Sequence, residues 1–308
     1  MGLKILGTGS ALPEKVVTNF DLMKTMDTSD EWIRERTGIG ARHVVTGSDD
    51  TETTLGTNAA RRAIEAAGLL ACDIDLILVA TCTADDRLPC VACKIQAALG
   101  AGQAAAFDIN AACAGFLIGL SVAEGYLSSG AFANVLVVGT ETVSKIIDWS
   151  DRGSAILFGD GAGACVVTRS DSAFTFALGA DGEGGNALRC SHNSTVTMDG
   201  QAVYRFATRT VPKVINEVLA KAGMKTSEVD KYVLHQANMR IIGSIAKGLK
   251  EPIEKFPTNI ENVGNMSSAS IPVLLDELVR DGKIVAGEKI VLAGFGAGLT
   301  YGACVMEY

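Results

Sequence analysis

Apolar positions along the chain fall into short unbroken runs separated by longer amphipathic stretches. The runs at 74–79, 135–139, 229–234 and 290–294 are too short for helices and show little polar alternation, the pattern of strands buried on both faces. Between them, 57–68, 113–130, 209–222 and 270–281 carry helical spacing, and Gly68 and Gly223 stop two of these helices. Such alternation predicts a layered α/β fold with mostly parallel sheets covered by helices.

The pattern occurs twice. A helix end, a glycine, a short loop and an apolar strand recur from Gly68 to Gly223 and from Asp75 to Asp230, an offset of 155 residues in both cases. The same offset places Asn110 on Asn265 and 135–139 on 290–294, while 163–166 matches 302–305 at an offset of 139, from Cys165 to Cys304. The first half therefore carries 16 extra residues within 140–162, the difference between the two offsets. Two duplicated halves, 1–168 and 169–308, follow, and ligand sites are expected at strand carboxyl ends where the halves meet.

Composition narrows the classes. With 308 residues, 48% hydrophobic and 20% charged, the chain folds into a real core. Lys and Arg number 27 against 35 Asp and Glu, a net charge of −8 that argues against a nucleic-acid partner. No stretch approaches about 18 consecutive apolar residues and the start lacks a cleavable signal pattern, so a cytoplasmic protein without a membrane segment is expected. Eight cysteines are too sparse for a disulfide scaffold, and Cys90 and Cys93 form a lone CxxC with no second pair or nearby histidines, so no metal site is expected.

Only three histidines exist, which allows the site to be sought residue by residue. His235 ends a strand-like run, and Cys113 opens a helix. The duplication puts Asn265 in the second half where the Cys113 region lies in the first, bringing Cys113, His235 and Asn265 toward one interface. A cysteine at a helix N-terminus has its thiolate stabilised by unpaired N–H groups, so a pKa below that of a free thiol is expected. Small neighbours, Ala111, Ala112, Ala114 and Gly115, leave room for an acyl group beside the sulfur.

DINAACAGF at 108–116, HQANMR at 235–240 and NVGNMSSAS at 262–270 resemble the three active-site motifs of the 3-oxoacyl-[acyl-carrier-protein] synthase III family. DEWIRERTGI at 30–39 and FGDGAG at 158–163 extend the resemblance over the whole chain. The resemblance implies the thiolase fold, two α/β halves in five αβαβα layers, and an acyltransferase that starts type II fatty acid synthesis. It implies that Cys113 takes an acyl group from acyl-CoA, with acetyl-CoA the expected primer. Malonyl-acyl carrier protein then loses CO2 and condenses with that acyl group, His235 and Asn265 serving the enolate. The backbone N–H groups of Cys113 and Ala297 would form the oxyanion hole. Ala297 stands where the family usually has glycine, and a positive φ there would strain it.

By the same resemblance Trp32, Arg36 and Arg152 hold CoA, Gln236, Arg240, Arg205 and Lys247 dock the acidic carrier protein, and Leu88 limits the primer pocket of a partner subunit in a homodimer, whose interface pairs strands 105–109. CoA enters as a substrate, and no cofactor or metal is implied. A synthase that loads a different starter for secondary metabolism is the main alternative. A degradative thiolase would need a second cysteine before the last glycine-rich loop, a plant-type polyketide synthase would be longer, and a nucleotide-binding oxidoreductase would need a GxGxxG fingerprint that the chain lacks. A binding scaffold would need none of the three reactive residues.

Overall fold

The computed structural model describes residues 2–192 and 194–308. Its strands in chain order are β1 (Gly2–Ala11), β2 (Val16–Thr18), β3 (Ala41–His43), β4 (Leu76–Ala80), β5 (Ala105–Ile109), β6 (Asn134–Thr142) and β7 (Asp160–Ser170) in the first half. The second half contributes β8 (Phe174–Ala180), β9 (Leu188–Arg189), β10 (Thr197–Met198), β11 (Lys231–Leu234), β12 (Lys289–Gly296) and β13 (Thr300–Glu307). The large sheets have the orders β1-β7-β6-β4-β5 and β8-β13-β12-β11, the same arrangement twice with β5 as an extra edge strand in the first.

Period-two alternation sorts the core into layers. On β6, Val135 and Val137 pack in the central cluster and Leu136 and Val138 in the outer one; on β4, Leu76 and Leu78 face inward and Ile77 and Val79 outward. The central layer holds helices Gly115–Ser129 and Ser270–Arg280 between the two sheets. Helices Glu52–Ala66 and Val91–Leu99 cover the first sheet, and Gly200–Lys221 and Met239–Leu249 cover the second. This is the five-layered αβαβα thiolase fold. The segment Ala112–Ser129 is long and apolar enough to cross a membrane by length and composition, yet 56% of it is buried within the fold, because it is the central-layer helix.

The duplication is visible in the backbone. Turns Ala112–Ala114 and Ser267–Ala269, the helices starting at Gly115 and Ser270, and the strands starting at Asn134 and Lys289 all keep the offset of 155. The mostly parallel sheets expected from the sequence are in fact mixed: β4 is parallel to β5 and β6, and β11 to β12, whereas β7 and β13 run antiparallel to both their neighbours. Only residues 297–299 join β12 to β13, far too few for the crossover that parallel neighbours need. The corresponding link between β6 and β7 spans 143–159, which locates the extra residues of the first half. The division at 168/169 falls just inside the end of β7. The added link packs Val143, Ile147, Ile156 and Leu157 against Leu22, Ile33 and Ile39, building a flank at the cavity mouth.

Candidate active site

Cys113 follows Ala112, whose φ of +46° lies in the left-handed region and costs a non-glycine residue about 1 kcal/mol. That turn packs against the end of β12. A Cβ on Gly296 would lie 2.6 Å from the Cys113 nitrogen and 3.1 Å from its Cβ, so only glycine allows this approach. Two residues back on the same strand face, a Cβ on Gly294 would lie 3.4 Å from the Cβ of His235. Strand geometry therefore places Cys113 and His235 on one face of β12, with backbone attachment points separated by about 7 Å.

His235 is 2% exposed, its N–H donates to the Ala293 carbonyl at 2.8 Å, and its ring meets Phe295 edge-on at 5.4 Å. Its Nδ1 is buried without a hydrogen-bond partner. Burial pushes the imidazole down to about 3, so the ring is neutral at physiological pH.

Asn265 is held from three directions. Its N–H donates to the Leu157 carbonyl and its carbonyl accepts from Gly159, both at 2.9 Å, so the stretch entering FGDGAG fixes its backbone. The Ser267 N–H donates to its Oδ1 at 2.9 Å. A backbone N–H can only donate, so this bond orients the amide and leaves its NH2 end directed away from the Ser267 turn.

A cavity of about 540 Å³ opens on Cys113, lined in part by Val143, Ile146, Phe158, Val196, Ala297 and Thr300. Ala297 follows β12 directly and has no positive φ; the unusual torsion falls on Gly298, at +133°, so alanine is unstrained. The expectation of a depressed Cys113 pKa is overturned. Burial pushes the thiol up to about 12, the Ser267 hydroxyl counters this in part, and Glu141 raises it further. The thiol is a neutral group buried at the floor of a cavity, and desolvation outweighs the helix terminus.

Trp32 is half-buried with two guanidinium groups over its ring, Arg36 at 4.7 Å and Arg152 at 4.5 Å. All three line one cavity of about 530 Å³ together with Asn238 and Arg240. Arg205 and Lys247 are exposed on neighbouring helices, and Arg240 lies 6.0 Å from the Tyr204 ring. The sequence reading missed Arg209 and Lys213, which repeat Arg205 at helical spacing on an exposed face. Gln236, expected at the carrier-protein surface, is completely buried, donating to Asn259 Oδ1 at 2.6 Å and accepting from the Asn259 and Ile260 N–H groups. Its role is internal: it locks the loop leading to Asn265 against the His235 strand. Leu88 is 86% exposed and does not line the Cys113 cavity of its own chain.

Two further cysteines, Cys82 and Cys190, line the cavity and were unremarked in the sequence. Cys304, the residue a degradative thiolase reading has to consider, is buried in β13 opposite Leu292 and pushed up to about 12 by burial. Glu141, at the start of the stretch that holds the extra residues, carries no local signal in the sequence. It is completely buried and accepts hydrogen bonds from both halves.

A duplicated thiolase fold with a thiol, a neutral imidazole and an oriented amide where its halves meet defines a condensing acyltransferase. Residues 107–182 match the family described as 3-oxoacyl-[acyl-carrier-protein] synthase III, and residues 219–308 match its C-terminal part. The chain belongs to the 3-oxoacyl-[acyl-carrier-protein] synthase III family, the initiating condensing enzymes of fatty acid synthesis. It is 48% identical to β-ketoacyl-[acyl-carrier-protein] synthase III 1 of Bacillus anthracis, over 100% of this chain and 99% of that one. Its structure is similar to the crystal structure of 3-oxoacyl-[acyl-carrier-protein] synthase III from Aquifex aeolicus, with a TM-score of 0.97, 44% identity and 100% of both chains covered. It is also similar to the priming β-ketosynthase of the R1128 polyketide biosynthetic pathway, with a TM-score of 0.95, 38% identity, and 99% of this chain and 96% of that one covered.

Proposed function

We propose that Cys113 accepts an acyl group from acyl-CoA, acetyl first among them, and that the acyl-enzyme condenses with malonyl-acyl carrier protein. The observation that carries this reading is the placement of Cys113 and His235 on one face of β12, with Ser267, whose N–H holds the Asn265 amide, lining the Cys113 cavity. In loading, the sulfur attacks the thioester carbonyl, the bond to the CoA sulfur breaks, and the proton of the Cys113 thiol ends on CoA. The backbone N–H groups of Cys113 and Ala297 serve the transient oxyanion. In condensation, malonyl-carrier protein releases CO2, and the electron pair left behind forms an enolate whose carbon attacks the acyl-Cys113 carbonyl. The C–S bond breaks, 3-oxoacyl-carrier protein leaves, and the thiolate takes up a proton.

His235 and Asn265 donate to the enolate oxygen. A neutral imidazole carries one N–H, and an unpartnered buried acceptor costs less than an unpartnered donor, so the tautomer that leaves Nδ1 bare places the proton on Nε2. Trp32, Arg36 and Arg152 receive the CoA nucleotide, and Arg205, Arg240 and Lys247, joined by Arg209, present a basic surface to an acidic carrier protein. The chemistry draws on no cofactor or metal. The exposed edge of β5 and the protruding Leu88 fit a homodimer in which one chain closes the primer pocket of the other, and a cytoplasmic location accords with this metabolism. The similarity to a polyketide priming enzyme supports one second reading, a starter unit other than acetyl.

Intact-protein mass spectrometry tests this. Wild type incubated with acetyl-, butyryl- and isobutyryl-CoA gains one acyl adduct, Cys113→Ala gains none, and malonyl-carrier protein discharges the adduct as 3-oxoacyl-carrier protein. Adducts ranked by chain length identify the primer, an adduct that malonyl-carrier protein leaves in place points to another acceptor, and an adduct on Cys113→Ala refutes the assignment of the nucleophile.

A further inference from the structure

Glu141 is the last-but-one residue of β6, on the face that also carries Val135, Val137 and Gly139 into the central layer. Its Oε2 accepts the Thr83 hydroxyl at 2.6 Å, the Cys82 N–H at 3.1 Å and the Thr81 hydroxyl at 3.3 Å, all from the segment after β4 in the first half. Its Oε1 accepts the Ser267 hydroxyl at 3.0 Å and meets the Ser268 hydroxyl at 2.9 Å, both from the turn beyond Asn265 in the second half. No Lys, Arg or His forms an ion pair with it among the described residues. A buried carboxylate without a cation is costly and persists only where its hydrogen bonds are fully engaged, so it holds its donors firmly.

The donor that matters is Ser267. It sits at φ +49°, a left-handed torsion that a serine does not choose unaided, its hydroxyl is tied to Glu141, and its N–H aims the Asn265 amide. We propose that Glu141 is a positioning residue for condensation: from the first half it anchors the Ser267 turn of the second and thereby points the Asn265 NH2 group at the enolate oxygen. This rests on the reading that Asn265 serves that oxygen.

The Gln variant is a sharp probe because both carboxylate oxygens of Glu141 meet donors. The Cys82 N–H cannot turn away, so the new NH2 group falls on the Ser267 and Ser268 side. Ser268 can hand its proton to the Ala80 carbonyl at 2.9 Å, whereas the Ser267 proton loses its carboxylate acceptor and the hydroxyl is left accepting from a neutral amide, a weaker tether. Side-chain volume is kept, so the fold is kept while the charge-assisted hold on the turn is weakened.

The experiment measures two single-turnover rates, acetyl loading from acetyl-CoA and decarboxylation of malonyl-carrier protein, in wild type, Glu141→Gln, Asn265→Ala and the double variant. Thr83→Val, which strips Glu141 of its shortest tether from the first half, serves as a second route to the same loosening should Glu141→Gln not fold. The proposal expects decarboxylation in Glu141→Gln to fall at least tenfold more than loading, and Glu141→Gln to cost less than a further twofold once Asn265 is alanine, because one residue acts through the other. Equal loss of both rates marks a structural role and overturns it. So does a full additional loss in the Asn265→Ala background, or no loss at all. Decarboxylation that survives Asn265→Ala overturns the reading of Asn265 itself, a failure visible without any change at Glu141.

Discussion

The last inward positions of β6 are Gly139 and Glu141, and those of β12, at the offset of 155, are Gly294 and Gly296. Each strand end receives the turn of the opposite half. A Cβ on Gly139 would lie 2.5 Å from the Ser268 carbonyl oxygen, just as one on Gly296 would lie 2.6 Å from the Cys113 nitrogen. The duplication thus brings a turn of the opposite half against each strand end, with the closest approach shifted by two residues, since Gly139 matches Gly294 and Gly296 matches Glu141, and the side chains make the two crossings differ further. At one crossing a carboxylate clasps two serine hydroxyls and the turn presents an amide. At the other the strand is bare, and the turn presents a thiol. Cys113 stands opposite Ser268, His235 opposite Ala80 and Glu141 opposite Gly296, whereas Asn265 stands opposite another amide, Asn110, so the thiol and the imidazole are what the duplication does not repeat.

Breaking the two crossings separately is the strongest test of this contrast. Gly296→Ala forces the Cys113 turn to shift by a sizeable fraction of an ångström, and misplacement on that scale costs about 10²-fold in rate. Single-turnover loading from acetyl-CoA is expected to fall by that factor or more. Gly139→Ala makes a collision of similar closeness with the Ser268 turn on the Asn265 side, so malonyl-carrier protein decarboxylation is expected to fall more than loading. If both variants depress the same half-reaction, the division of labour between the crossings is wrong.

Much of this was legible in the sequence, and what was not has a common physical cause. The repeat surfaced because strand runs and glycine stops are local signals, and the DEWIRERTGI segment put Trp32 and Arg36 four residues apart, one helical turn, as the structure shows. Glu141 was hidden because its partner Ser267 lies 126 residues away and nothing near 141 announces it. Gln236 was misread because a polar residue after a strand looks like surface until Asn259 is found against it. The sheet directions failed because helix spacing between strands reports the crossovers and is silent on the hairpin at 297–299. The thiol was misjudged for the same reason as Glu141: a helix terminus is read from neighbours in sequence, whereas desolvation comes from the opposite half.

That last difference sharpens the comparison, because the two turns hold a thiol and a hydroxyl in equivalent places and only the thiol can titrate. With burial pushing Cys113 up to about 12, its alkylation by iodoacetamide in the unliganded enzyme is expected to rise about tenfold per pH unit from pH 7 to 10 without levelling. Peptide-resolved mass spectrometry of the alkylated protein measures it. A plateau near pH 8 indicates a thiolate stabilised by the helix terminus and removes desolvation as the controlling influence.

The smallest expected effect concerns His235 and its counterpart Ala80, since only one strand end carries a titratable group. The imidazole falls from an ordinary 6.5 to about 3 on folding, so the unfolded chain binds more protons between those values. The stability contributed by the neutral ring is complete above pH 6.5 and is lost as pH falls from 6.5 toward 3. Between pH 7.5 and 5 the loss comes to about 2 kcal/mol, from about 1.4 kcal/mol per pH unit below the unfolded value. His235→Gln has no such group, so the difference in unfolding free energy between wild type and variant, from urea titrations at the two pH values, isolates this contribution from carboxylates whose burial acts in the opposite direction. Wild type is expected to lose about 2 kcal/mol more than the variant. Parallel losses mean that the ring is solvated enough to titrate normally, and a His235 that titrates normally carries a proton on both nitrogens over much of that range, which contradicts the neutral N–H donor assigned to it at the enolate oxygen.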